Sequence, residues 1–202
     1  MRLGIFGGTF DPVHYGHLLL AESCREQCRL DAVWFMPAAA PPHKLGRTVS
    51  GAATRIELLQ LAIGGHEAFS VSRLEVDRGG VSYTVDTLTA IHVEQPAAEL
   101  FLLMGADTLE DLPNWLEPRR ILELATPAVV HRAGSPAPRF AAIAELISPE
   151  RLKVAQQSQV EMPALGISST EIRQRAATGR SLRYLTPRAV EKCIEARGLY
   201  RG

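Results

Sequence analysis

Short apolar runs alternate along the chain with stretches of helical period. Arg2–Phe6, Ala32–Met36, Phe69–Val76, Glu99–Met104 and Thr126–His131 read as strands, several of them closed by Gly or Pro. Gly16–Leu30, Ala52–Ile63, Thr84–Val93 and the region around Arg119–Leu124 carry the helical period between them. That alternation predicts βαβ units and an α/β, doubly wound parallel sheet covered on both faces. Lys153–Val154 with Val160–Met162 reads as a further strand, followed by helices over Ser168–Thr178 and Pro187–Arg197. Ser168 or Ser169 supplies an N-cap and Gly179 a C-terminal stop. Thr186 is the expected cap before Pro187, and Gly198 the expected close of the last helix. No linker or repeat interrupts the pattern. One domain over residues 1–202 is expected, with a C-terminal helical appendage from about residue 168.

Composition narrows the function classes. The 202 residues carry 22 Lys+Arg against 22 Asp+Glu, so there is no basic excess for a nucleic-acid polymer. A hydrophobic content of 46% supports a real core and excludes a disordered chain. The longest apolar stretches, such as Leu100–Met104, are too short to span a bilayer. The N-terminal residues lack the apolar core of a secretory signal, and three cysteines make no disulfide framework, so a cytoplasmic protein is expected. Cys24 and Cys28 share a helix face and read as small core residues, with no second ligand pair to make a metal site.

The chemistry concentrates in Gly7-Gly8-Thr9-Phe10-Asp11-Pro12-Val13-His14-Tyr15-Gly16-His17, between the first strand and the first helix. In an open parallel sheet, ligands collect at the carboxyl ends of the strands, and a helix N-terminus there attracts anions. The two glycines let backbone approach a ligand. The spacing is neither G-x-G-x-x-G nor a P-loop, and the HExxH arrangement of a zinc site is absent. What it offers is a pair of imidazoles on one helical turn, suited to donating N–H groups to phosphate oxygens.

This segment closely resembles the hallmark of the nucleotidyltransferase superfamily with its His-x-Gly-His element. In its long form it is similar to bacterial nicotinate-nucleotide adenylyltransferases. Pro41-Pro42-His43-Lys44, Ser82-Tyr83-Thr84 with Asp86-Thr87-Leu88, Gly105-Ala106-Asp107-Thr108-Leu109 with Trp115, His131-Arg132, Ile167-Ser168-Ser169-Thr170-Glu171-Ile172-Arg173 and the closing Gly198-Leu199-Tyr200 extend the resemblance over essentially the whole chain.

The resemblance implies a Rossmann-like fold and adenylyl transfer from ATP to nicotinate mononucleotide, giving nicotinate adenine dinucleotide and pyrophosphate. It implies His14, His17 and Arg173 as catalytic groups. ATP would meet Gly7, Gly8, Thr9, Phe10, Gly105, Asp107, Ile167, Ser168 or Ser169, Thr170 and Arg173. The mononucleotide would meet Lys44, Tyr83, Thr84, Trp115 and Arg132, with Trp115 stacked on the pyridine ring. Each has a plainer reading: Asp107 as a helix cap, Lys44 and Arg132 as surface cations, Trp115 as core. Magnesium would arrive on the ATP phosphates, with no direct protein ligand. Ala38-Ala39-Ala40 departs from relatives that carry asparagines there, so side-chain contacts from that loop are lost. Rival readings are transfer to nicotinamide mononucleotide or to phosphopantetheine, and a non-catalytic nucleotide sensor. No nucleic-acid or membrane partner is expected.

Overall fold

The central strands are buried on both faces, and their side chains alternate between two cores. The computed structural model describes residues 1–40 and 49–201. Six strands form one sheet: β1 (Arg2–Gly8), β2 (Ala32–Pro37), β3 (Phe69–Val71), β4 (Glu99–Gly105), β5 (Ala125–Arg132) and β6 (Gln159–Met162). Every neighbouring pair is parallel, in the order β3-β2-β1-β4-β5-β6.

On one face Phe6, Phe35, Phe101 and Val130 meet helices α1 (Tyr15–Gln27), α2 (Ala52–Ile63), α8 (Ser169–Ala177) and α9 (Arg188–Arg197). On the other, Leu3, Ile5, Leu102 and Val129 meet α4 (Thr84–Glu94), α5 (Ala106–Asp111), α6 (Pro118–Leu124) and α7 (Pro149–Gln157). Period-2 alternation with both faces apolar is what a parallel sheet between two helical layers requires. Cys24 and Cys28 sit in the first core, as small apolar residues do. Trp34 packs, partly buried, against the second.

The strand order runs outward from β1 to β3 and then returns to β4, so connections leave β1 and β4 in opposite directions. Their carboxyl ends therefore flank the crevice of a doubly wound sheet.

Three sequence expectations are corrected. The strand expected over Phe69–Val76 stops at Val71, and Leu74–Arg78 forms a short helix, α3. Ser72 Oγ accepts from Leu74 N–H at 3.3 Å there, and Arg73 pairs with Asp77 one turn on. Lys153 and Val154 lie in α7, because Ser148 caps Pro149 at the first helical position and starts a helix ahead of them. The N-cap of α9 is Pro187, one residue later than expected. Thr186 instead sends its hydroxyl to Val13 O at 2.8 Å. Gly198, at φ 61°, closes α9 as expected, and Gly179, at φ 67°, follows α8.

Candidate active site

The two glycines at the end of β1 meet different surroundings. Gly7 borders an open cleft, where a Cβ would meet no protein atom within 4 Å. At Gly8 a Cβ would stand 2.8 Å from the Phe10 ring. Phe10 is fully buried at φ 51°, edge-on to Phe6 with centroids 5.3 Å apart and to His17 at 5.1 Å. Phe10 thus buttresses a histidine from inside the core and does not face the cleft.

His14 is the N-cap residue of α1 and is buried, and His17 lies one turn further on. Their rings stack with centroids 3.7 Å apart and planes 25° apart. The His14 backbone N–H donates to His17 Nδ1 at 3.3 Å, which assigns the proton of a neutral His17 ring to Nε2. Burial lowers the His14 pKa to about 4, so its imidazole is neutral at physiological pH. His14 Nδ1 has no hydrogen-bond partner among the described residues. Gly16 makes room for this ring, since a Cβ there would sit 3.0 Å from His14 Cε1 and Nδ1.

The C-terminal segment docks onto the same turn. Arg173 Nη1 donates to Asp11 O at 2.7 Å, Ser169 Oγ to Pro12 O at 2.9 Å, and Thr186 Oγ1 to Val13 O at 2.8 Å. Three consecutive carbonyls are therefore each held by a residue more than 150 positions away in sequence, as the separations of 162, 157 and 173 show. Arg173 also reaches Thr170 Oγ1 at 3.3 Å. The two serines divide their work: Ser168 caps α8, accepting from Glu171 N–H at 3.2 Å, while Ser169 tethers the helix to Pro12. Ile167, just before the cap, packs partly buried on the first core. His14, His17, Thr170 and Arg173 thus come together at the start of α1.

Gly7, Gly8 and Thr9 lead from this group into a cleft of about 470 Å³, also bounded by Tyr83, Thr84, Gly105 and Trp115. Tyr83 and Thr84 stand at the start of α4. Trp115 is partly buried, and its Nε1–H donates to Asp111 Oδ2 at 3.2 Å, which fixes the indole plane at the cleft wall. Gly105 is the N-cap residue of α5. Asp107 is therefore not a cap; it is exposed on the first turn of α5, outside the cleft lining. Arg132 is exposed at the end of β5, also outside that lining. Pro41-Pro42-His43-Lys44 lies outside the described residues. The alanine loop before it is held by backbone: Ala38 N–H reaches Gly8 O at 2.9 Å, and Ala39 N–H reaches Ser82 Oγ at 2.9 Å.

Two buried charged groups near the cleft, Arg55 and Glu75, are not among the residues expected from the sequence. Arg55, 2% exposed, donates to Ser50 O, Thr9 O and Ala38 O at 2.9, 2.9 and 2.8 Å. Burial lowers its pKa, and the Asp11 carboxylate opposes that shift. The available signal was an arginine three and four places before Leu58 and Leu59, on the apolar face of α2. Glu75, buried at the cleft wall, accepts from Thr87 Oγ1 at 2.7 Å.

Residues 5–175 match the model of the cytidylyltransferase-like family. Proteins named "Probable nicotinate-nucleotide adenylyltransferase" are similar over nearly the whole length. The one from Roseiflexus sp. is 48% identical over 98% of this chain and 98% of its own. The one from Thermus thermophilus is 47% identical over 100% of each. The chain belongs to the nicotinate-nucleotide adenylyltransferase family. The nucleotidyltransferase fold is shared with Plasmodium falciparum nicotinic acid mononucleotide adenylyltransferase complexed with NaAD, at a TM-score of 0.75 and 17% identity over 98% of this chain and 97% of that one. The same enzyme complexed with APC gives a TM-score of 0.74 over 98% and 96%. The crevice between β1 and β4 lies at the carboxyl ends of the strands, where open parallel α/β sheets bind ligands.

Proposed function

We propose that this enzyme transfers the adenylyl group of ATP to nicotinate mononucleotide, releasing pyrophosphate and forming nicotinate adenine dinucleotide. A phosphate oxygen of the mononucleotide attacks the α-phosphorus of ATP. The new P–O bond forms in line as the bond to pyrophosphate breaks, and no covalent enzyme intermediate intervenes. The observation that carries the reading is the stacked His14–His17 pair at the start of α1, tied through Asp11 to Arg173.

The protein's part is alignment and charge stabilisation. The His14 and His17 rings present N–H dipoles to the phosphates. Arg173, with only part of its guanidinium committed to Asp11 O and Thr170 Oγ1, supplies the positive charge. Ser168 and Thr170 offer hydroxyls beside it. Gly7, Gly8, Thr9 and Gly105 give backbone close access to ATP. Trp115 stacks on the pyridine ring, and Tyr83 and Thr84 at the start of α4 read its carboxylate. Lys44 and Arg132 attend the mononucleotide phosphate. ATP enters as its magnesium complex, so the metal is part of the substrate.

Among the described residues no helix is long and apolar enough to cross a membrane. Three free cysteines support a cytoplasmic setting.

The test is pyrophosphate release with magnesium-ATP and, in turn, nicotinate mononucleotide, nicotinamide mononucleotide and phosphopantetheine. Preference for nicotinate mononucleotide is expected. Preference for either other acceptor overturns the substrate, and release with none overturns the reaction.

A further inference from the structure

Two parts of the recognised pattern have no role in the reaction as described: Asp11 of the histidine turn and Tyr200 near the C-terminus. The fold brings them together. Tyr200 Oη donates to Asp11 Oδ1 at 2.7 Å across 189 positions of sequence, and Ser50 N–H donates to Oδ2 at 3.1 Å. Asp11 is 5% exposed, so a missing donor there is not replaced freely by solvent. Arg55 lies close enough to be stabilised by this carboxylate, but its own hydrogen bonds go to the carbonyls of Ser50, Thr9 and Ala38. The phenol and the Ser50 amide are thus the two donors given to Asp11 among the described residues.

Tyr200 is held at φ 65°, a left-handed conformation unusual for a non-glycine residue, just after α9 closes at Gly198. Burial and the Asp11 carboxylate raise the phenol's pKa above its ordinary value, so it remains a donor. Asp11 also uses its backbone, since its carbonyl accepts from Arg173 Nη1 at 2.7 Å. One residue therefore joins the phenol, through its side chain, to the guanidinium, through its main chain.

We propose that Tyr200 is a positioning residue for adenylyl transfer: by holding the Asp11 carboxylate it sets the Asp11 carbonyl, and hence the place of Arg173 against the ATP phosphates. This rests on the assignment of Arg173 as a phosphate ligand. Without the hydroxyl, one oxygen of a buried carboxylate loses its donor, and the Asp11 side chain must turn to find another. The carbonyl that anchors Arg173 belongs to the same residue and moves with it.

The experiment compares the full chain with Tyr200→Phe, Arg173→Ala and the double variant. KM is measured for magnesium-ATP and for nicotinate mononucleotide separately, with the thermal midpoint of each protein. Tyr200→Phe is expected to raise KM for ATP about tenfold, the scale of one hydrogen bond to a charged group, with KM for the mononucleotide within about twofold. In the Arg173→Ala background, the same change should alter KM for ATP by less than about twofold, since coupled residues are not additive. Full additivity, an equal rise in both KM values, or a lowered midpoint with unchanged kinetics overturns the positioning role. If Arg173→Ala alone leaves ATP kinetics unchanged, the phosphate-ligand assignment fails, and the proposal fails with it. If Arg173→Ala is impaired and Tyr200→Phe is normal, only the positioning role fails.

Discussion

The imidazole of His14 lies face to face with that of His17, centroids 3.7 Å apart, while the His14 main-chain N–H holds His17 through Nδ1. Two charged rings this close would repel, and burial already lowers the His14 pKa to about 4. In the proposed reaction the two rings offer polarised N–H groups, and Arg173 supplies the positive charge. Separating the dipole role from the charge role makes both testable by substitution.

Replacing His17 with alanine removes one donor and leaves an ordinary helical residue on the first turn of α1. The variant should fold, with kcat lower by about two to three orders of magnitude, the usual loss for one oxyanion donor. Circular dichroism and pyrophosphate release check the two halves of that statement. A folded variant with near-normal turnover would sink the assignment.

The His14 pKa links stability to pH. In the folded protein it is lowered to about 4 from an ordinary 6.5, so between these values the unfolded chain binds the extra proton. Stability is fully present above about pH 6.5 and is lost as pH falls toward 4, by about 3 kcal/mol from this group. Urea midpoints from pH 7.5 down to 4.5 should fall more steeply for the native chain than for His14→Asn. Parallel profiles would refute the buried neutral imidazole.

Gly16→Ala should separate activity from stability. Alanine favours a helix over glycine by about 0.5–1 kcal/mol. Its Cβ, however, would come within 3.0 Å of the His14 ring and must displace it. The thermal midpoint should hold or rise while kcat falls about tenfold or more, as misplaced catalytic groups do. Unchanged kcat would show that the ring's position is not critical.

Arg55→Lys keeps a charge and loses the fork that reaches three carbonyls on separate segments. At least one of Thr9 O, Ala38 O and Ser50 O loses its partner, costing about 1–3 kcal/mol. Denaturant unfolding should register that loss, and on the proposed reaction KM for both substrates should rise together because Thr9 and Ala38 border the cleft. A variant as stable as the parent would mean that the carbonyls find other donors.

How much could be read in advance follows from distance along the chain. Helices and strands with strong periodicity stood where expected, because their signal is local. Leu74–Val76 belongs to the strand expected over Phe69–Val76 because its apolar positions alternate; Ser72 and the Arg73–Asp77 pair support a helix over Leu74–Arg78 instead. Threonine before proline starts many helices, so Thr186 is the expected cap, yet its hydroxyl donates to Val13 O, 173 positions away. Nothing next to Arg55 in the sequence shows the three carbonyls it serves.

By itself the sequence determined the parallel α/β fold, the glycine-histidine turn and the family, because these rest on contiguous residues and on periods of two and 3.6. Only the tertiary structure decided which groups act on one another. It gave Ser168 the cap and Ser169 the tether, and joined Tyr200 to Asp11 and Asp11 to Arg173. The physical reason is that buried polar groups must find partners. Which partner each finds depends on what the packed helices and strands bring within about 3 Å, a proximity that no local pattern along the chain encodes.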